Sequence, residues 1–323
     1  MKKLVKKAFL LGINLFFLFT SGCSGKKASS VYTIGIVQIT EDPKLDVARN
    51  SVIQALGDEG FIEGKNIRIE YQNAQGEIPN ISLIIKNFLS KKVDMIITNS
   101  TPCMVAAAQM VKGIPVVFTV AFSPEQVGIK EVPLNLYGAY DPYEMDDFVQ
   151  LIRSSLPQVK KIGILCNSAE PNARFGANML KQACARQNVE LIEVPVFSTN
   201  EVFQAAQALA QKQVDAFAIA ADNTVYLAMD AMVKVAQAQK IPLFITEPSQ
   251  IDRGACAGLG IDFKEWGRES GKIAAAVIAG KVPIENPIKA LRHKSLYLNL
   301  KAAAAQGISF PADLIAKADR IIK

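Results

Sequence analysis

Histidine is almost missing: the 323 residues include one, His293. That count excludes a metal site built on imidazoles, and a serine or cysteine hydrolase would have to take its base from another residue such as lysine. No carboxylate spacing suggests a calcium loop, and no phosphate loop is present. Gly254, Gly258 and Gly260 have the wrong spacing for a dinucleotide fingerprint, with no helix starting among them, and they read as a crossover that must bend. Neither a metal nor a cofactor is expected. Unbalanced charge is missing too. The formal charge is +6, but six of the 36 basic residues (Lys2, Lys3, Lys6, Lys7, Lys26 and Lys27) fall in the first thirty positions, where no acid stands. The rest of the chain therefore carries 30 basic against 30 acidic residues, and a nucleic-acid footprint is not expected.

Half of the residues are hydrophobic and a fifth are charged, enough to bury the core of one or two domains. The first segment reads as an address. Lys2 to Lys7 form a positive region, and the apolar run at 8–19 falls short of the roughly 20 residues a spanning helix needs. It ends in Thr20-Ser21-Gly22-Cys23, which resembles the lipobox of bacterial lipoproteins. The expectation is a signal peptide over 1–22, lipidation of Cys23 and a flexible tether over 23–30, holding the protein on the outer side of a cell membrane. The other cysteines, Cys103, Cys166, Cys184 and Cys256, show no metal or redox spacing and are expected as free thiols packed like small hydrophobes.

From residue 31 onward, short β-branched runs alternate with amphipathic helical stretches, the grammar of parallel sheets covered on both faces. Strands are expected at 33–39, 67–72, 94–98, 115–120 and 136–140, then at 161–166, 190–196, 215–220 and 242–246. Helices fill the gaps, among them 102–111, 143–156, 173–187 and one continuous helix at 223–239. Two α/β halves follow, either as two domains in series or as a bilobal shell. In the shell the chain crosses near Asp141, Asp262 and Pro287, so that 31–141 and 263–287 form one lobe and 142–262 and 288–323 the other. The helix at 263–280 then belongs to the first lobe.

In open parallel sheets, ligands sit beyond the carboxyl ends of the strands. The first-lobe loops there offer Thr40, then Ser100, Thr101, Pro102 and Cys103, then Ser123. Thr101 suits an N-cap and Pro102 the first helical position, so the N–H groups of Cys103 and Met104 would face a carboxylate. The second-lobe loops offer Asn167, Ser168, Glu170, Asn172, Asp222, Asn223 and Glu247. Asp222 and Glu170 could take an ammonium, which points to a zwitterion such as an amino acid; Asp222 could equally cap the helix after it. Phe122 and Tyr140 could supply an aromatic wall, whereas Phe118, inside a strand, suits the core.

Several blocks carry a family resemblance: Ile34-Gly35-Ile36-Val37-Gln38-Ile39, residues 46–49, Gly60-Phe61 with Glu63-Gly64-Lys65-Asn66, Tyr71-Gln72-Asn73-Ala74-Gln75-Gly76, Ile114-Pro115-Val116-Val117-Phe118-Thr119, Ala221-Asp222-Asn223-Thr224-Val225 and Gly260-Ile261-Asp262. Over 31–323 the chain resembles the substrate-binding proteins of bacterial ABC transporters related to the tryptophan- and tyrosine-binding type. The resemblance implies a type I periplasmic-binding fold that closes on its solute and delivers it to a permease and ATPase. It places ligand contacts on Thr101, Pro102, the Ser123 loop, 167–172, Asp222 and Asn223. The chain departs from the family at Phe122-Ser123-Pro124 and at Cys103, both on the proposed ligand wall. A monomeric binding protein is expected, with an exported enzyme for a small carboxylate or a sensory receptor as the alternatives.

Overall fold

The computed structural model describes residues 31–281 and 288–323. The leader, Cys23, the tether and the crossing expected near Pro287 lie outside the described residues. The strands are β1 (Tyr32–Gln38), β2 (Ile67–Asn73), β3 (Met95–Asn99), β4 (Val116–Ala121), β5 (Leu136–Tyr140), β6 (Lys161–Cys166), β7 (Glu190–Pro195), β8 (Ala216–Ile219), β9 (Leu243–Ile245), β10 (Ala257–Gly260), β11 (Ile288–Ala290), β12 (Ser295–Asn299) and β13 (Arg320–Ile322). Between them run α1 (Pro43–Asp58), α2 (Ile78–Ser90), α3 (Thr101–Met110), α4 (Asp146–Ser155), α5 (Pro171–Arg186), α6 (Val202–Gln211), α7 (Asn223–Leu227), α8 (Met229–Gln239), α9 (Phe263–Ile278), α10 (Leu300–Ala305) and α11 (Ala312–Lys317).

The strands form two sheets, ordered β11-β5-β4-β3-β1-β2 and β13-β12-β10-β9-β8-β6-β7. All pairings in the first are parallel; in the second, β10 and β12 alone run antiparallel. Side chains alternate between two apolar layers, because both faces of each sheet are covered by helices. Ile34 and Ile36 join Met95 and Ile97 on one face of the first sheet, while Val37 and Ile39 join Ile96 on the other. In the second sheet Ile162, Ile164 and Ala218 face away from Leu165, Phe217 and Ile219. The four cysteines beyond Cys23 are free and buried.

Four details depart from the sequence reading. The glycine-rich stretch is itself a strand, β10: a Cβ at Gly258 would lie 2.7 Å from Pro248 Cα, and one at Gly260 only 1.9 Å from the Thr246 carbonyl oxygen. Its glycines admit a close backbone instead of a bend. The helix expected at 223–239 breaks at Ala228, where the Arg253 guanidinium takes the Tyr226 carbonyl at 2.7 Å, pulling it out of the helical ladder. Helix α4 starts late because the N–H of Tyr143 (φ 58°) turns back to Asp141 Oδ1 at 2.7 Å. Finally, β11 pairs with β5 in the first sheet, although everything from residue 288 was expected in the second lobe. Helix α9 follows the second-sheet strand β10 and packs along α1, β4 and β5 of the first.

Candidate functional site

In each sheet the strand order reverses beside its first strand, β1 against β3 and β6 against β8. The crevice beyond such carboxyl ends is where helix N-termini present unpaired N–H groups. A cavity with about 450 Å³ of empty space lies between the lobes, lined by Ser100, Thr101, Val120, Ala121, Phe122, Asp141, Tyr143, Asn172, Ala221, Asn223, Thr246, Glu247, Ile261, Phe263 and Trp266. Its aromatic side is braced. Phe122 packs edge-on against Tyr143 with ring centroids 4.8 Å apart, and Phe263 against Trp266 at 5.8 Å. The Tyr143 hydroxyl donates to Thr246 Oγ1 at 3.0 Å and accepts the Ala221 N–H at 2.8 Å, while the Trp266 indole N–H donates to the Ala139 carbonyl at 2.8 Å.

Backbone strain gathers at the same place. Ser100, Val120 and Tyr143 all line the cavity with positive φ (95°, 50° and 58°), a costly conformation for residues other than glycine and for a β-branched valine above all. Three buried polar atoms on cavity-lining residues, Ser100 Oγ, Asn172 Oδ1 and Glu247 Oε2, have no hydrogen-bond partner among the described residues, and of these Glu247 Oε2 has an ion-pair partner.

One ion pair joins the lobes beside the cavity. Lys44, in the first turn of α1, has a side chain only 1% exposed, and its Nζ lies 2.9 Å from Glu247 Oε2 and 3.8 Å from the centroid of the Tyr226 ring. Lys44 belongs to the first lobe, Glu247 and Tyr226 to the second, so the lobes are drawn together. Burial pushes the Glu247 carboxyl up to about 7 while Lys44 pulls it back, and burial pushes Asp141 up to about 6.

Of the residues singled out from sequence, Ser100, Thr101, Asn172, Asn223 and Glu247 meet in this cavity. Thr101 Oγ1 accepts the Phe122 N–H at 3.3 Å, tying the end of β4 to α3. The Met104 N–H returns to the Ser100 carbonyl at 3.1 Å, so it does not face an anion as expected. Pro102 and Cys103 are buried in the first turn of α3, and burial holds the Cys103 thiol far above its ordinary range. Ser123 closes a short turn with Gln126, and Ser168 is exposed, its carbonyl held by Arg174. Thr40, Asn167 and Glu170 line a larger cleft of about 970 Å³ that shares Asn223 with the cavity. Of the suggested aromatic wall, Phe122 is there and Tyr140 is not among the lining residues; Phe118 is core. Asp141, Tyr143, Thr246, Phe263 and Trp266 were not singled out as ligand contacts. The one available signal was that Asp141 and Asp262 mark crossings, where both lobes come near.

Asp222 and Glu170 do not have carboxylates free for an ammonium. Asp222 caps α7, Oδ1 accepting the Val225 N–H at 2.9 Å and Oδ2 the Asn167 N–H at 2.7 Å. Asp222→Asn would set an NH₂ against one of those donors. The expected result is a loss of about 1–3 kcal/mol in urea unfolding with solute affinity little changed; weakened binding at native stability would return Asp222 to the ligand.

Stability should also depend on pH with a definite sign. Asp141, raised from 3.8 to about 6 by burial, binds its proton more tightly folded than unfolded. Its contribution is complete below about pH 4 and is lost as pH rises through 6. Between pH 5 and pH 8 the unfolding free energy should fall by about 1.4 kcal/mol on its account. Urea melts at the two values measure this, and Asp141→Asn should reduce the difference by that amount, leaving the part that Glu247, raised to about 7, contributes in the same direction.

A family model described as ABC transporter substrate binding protein matches residues 33–322. A tyrosine-binding protein of Clostridioides difficile is 33% identical over 283 residues, covering 85% of this chain and 82% of its own. Among solved structures, an ABC domain in complex with L-Trp from Streptococcus pneumonia is 24% identical with a TM-score of 0.84, covering 91% of this chain and 100% of that one. The ligand-free, open structure of a substrate-binding protein with adhesive properties from Clostridium difficile is 29% identical over the same shares, yet its TM-score is 0.67. The match runs through both sheets and the helices that line the cavity, and by it this chain belongs to the ABC transporter substrate-binding proteins.

Proposed function

We propose that the solute is an aromatic amino acid, held as a zwitterion in the cavity between the lobes. The observation that carries this reading is the lining itself: Phe122, Tyr143, Phe263 and Trp266 beside the unpartnered Ser100 Oγ and Asn172 Oδ1. A flat apolar group fits the first set and a charged, hydrogen-bonding head the second. The first turn of α3, at Ser100 and Thr101, suits the carboxylate. The names of the tyrosine-binding relative and of the L-Trp complex point the same way.

The protein is the extracytoplasmic solute-binding component of an ABC importer. In this reading it binds and releases its solute unchanged, as a monomer anchored through Cys23. The lobes turn about the crossings near Asp141 and Asp262 and a third beyond Ala290, closing as the solute bridges them. A thermal-shift screen tests the ligand. At a hundred times its Kd, L-tryptophan, L-tyrosine or L-phenylalanine should stabilise the fold by about 2.7 kcal/mol, and glucose should not. A shift with sugars and none with aromatic amino acids would overturn the reading, and a mature N-terminus other than a lipidated Cys23, read by mass spectrometry, would remove the anchor.

A further inference from the structure

The cavity contains an amide whose orientation is fixed by its neighbours. Asn172, in the first turn of α5, is 5% exposed. Its Nδ2 donates to the Ala221 carbonyl at 2.7 Å and to Glu170 Oε2 at 3.0 Å. Both partners accept, so turning the amide over would set Oδ1 against two acceptors. Glu170 has no freedom to yield. Its Oε2 also takes the Asn223 N–H and Nδ2, at 3.1 and 2.6 Å, and its Oε1 takes the Thr224 N–H and hydroxyl, at 3.0 and 2.7 Å. The Thr224 hydroxyl is oriented in turn, because it accepts from Asn167 Nδ2 at 2.9 Å. The chain of donors and acceptors ends at Asn172 Oδ1, buried and without a partner among the described residues, on a residue that lines the cavity. An orphaned buried acceptor is costly until a donor reaches it.

We propose that Asn172 Oδ1 accepts a hydrogen bond from the ammonium of the solute, and that Glu170 is the positioning residue that keeps the amide turned that way. The inference rests on the reading of the solute as an amino acid. It gives Glu170 a part in recognition without contact: five donors occupy its oxygens, and it acts through Asn172. Asp141, which lines the same cavity, adds a carboxyl group to the surroundings of the ammonium.

The test compares two probes by calorimetry, L-tryptophan and indole-3-propanoate, the same molecule without its ammonium. The native protein should favour L-tryptophan at least tenfold, the worth of a charge-assisted hydrogen bond. Asn172→Ala removes the acceptor, and Glu170→Gln puts an amide where only an acceptor fits, freeing Asn172 to turn. Each should weaken L-tryptophan tenfold or more while indole-3-propanoate stays within about threefold, so that the preference collapses. Variants that weaken both probes equally would mark the two residues as merely structural and overturn the inference. Equal binding of both probes by the native protein would overturn it while leaving an aromatic carboxylate as the solute, and that comparison needs no variant to fold. Binding of neither probe would remove the amino-acid reading and the inference with it.

Discussion

Lys44→Met should weaken solute binding about 100- to 1,000-fold, although Lys44 is not among the residues lining the cavity. Lysine is almost never fully buried unless paired, and a cation in the first turn of a helix works against the helix dipole. Lys44 is in both positions at once, with Glu247 of the opposite lobe 2.9 Å from its Nζ and the Tyr226 ring beneath it. Breaking a buried pair from one side costs about 3–5 kcal/mol, because the remaining charge is stranded. In an open protein Glu247 would be solvated, so most of that cost falls on closure and therefore on affinity. Calorimetry should show the loss, and the double variant Lys44→Met/Glu247→Leu should recover much of it, since an apolar pair of similar size leaves nothing stranded. Small-angle scattering of ligand-free Lys44→Met should give a larger radius of gyration than the native protein. An affinity within threefold of native with an unchanged radius would reduce the ion pair to an incidental contact.

That pair also shows where sequence reading stops. Strands were legible because they are short β-branched runs buried on both faces: β5 and β6 fall on the expected residues, and most helices are displaced by one or two. The loops that could carry ligand groups were legible from the carboxyl-end rule, and Ser100, Thr101, Asn172, Asn223 and Glu247 do meet. What the acids do there was not. Asp222 is satisfied by the N–H of Asn167 and Glu170 by those of Asn223 and Thr224, partners some fifty residues away in sequence that only the folded sheet brings together. Lys44 was not singled out, because its partner comes from the other lobe. Trp266 was legible as part of an apolar helix face. Its place at the cavity depends on α9 returning to the first sheet, which the bilobal alternative expects from the order of the elements and which no local periodicity reports.

The return of α9 rests on glycine, which makes Gly267→Val a strongly damaging substitution. Helices α1 and α9 cross backbone to backbone. A Cβ at Gly267 would stand 2.1 Å from the Ala48 carbonyl oxygen, and one at Gly271, a turn later on the same face, 2.6 Å from the Val52 carbonyl oxygen. These contacts are main chain, so no side-chain rotation relieves them, and the helices would have to separate. Overpacking of this kind costs typically 1–3 kcal/mol and occasionally more; with a β-branched residue against backbone, about 3 kcal/mol or more is expected in urea unfolding. The displaced helix carries Phe263 and Trp266, so solute affinity should fall with stability even though Gly267 does not line the cavity. Gly57, on α1, is the internal control: a Cβ there meets nothing within 4 Å. Gly57→Ala should therefore stabilise by about 0.5–1 kcal/mol through helix propensity alone. If Gly267→Val unfolded within about 0.5 kcal/mol of the native protein, the close crossing of α1 and α9 would not be what holds Trp266 at the solute.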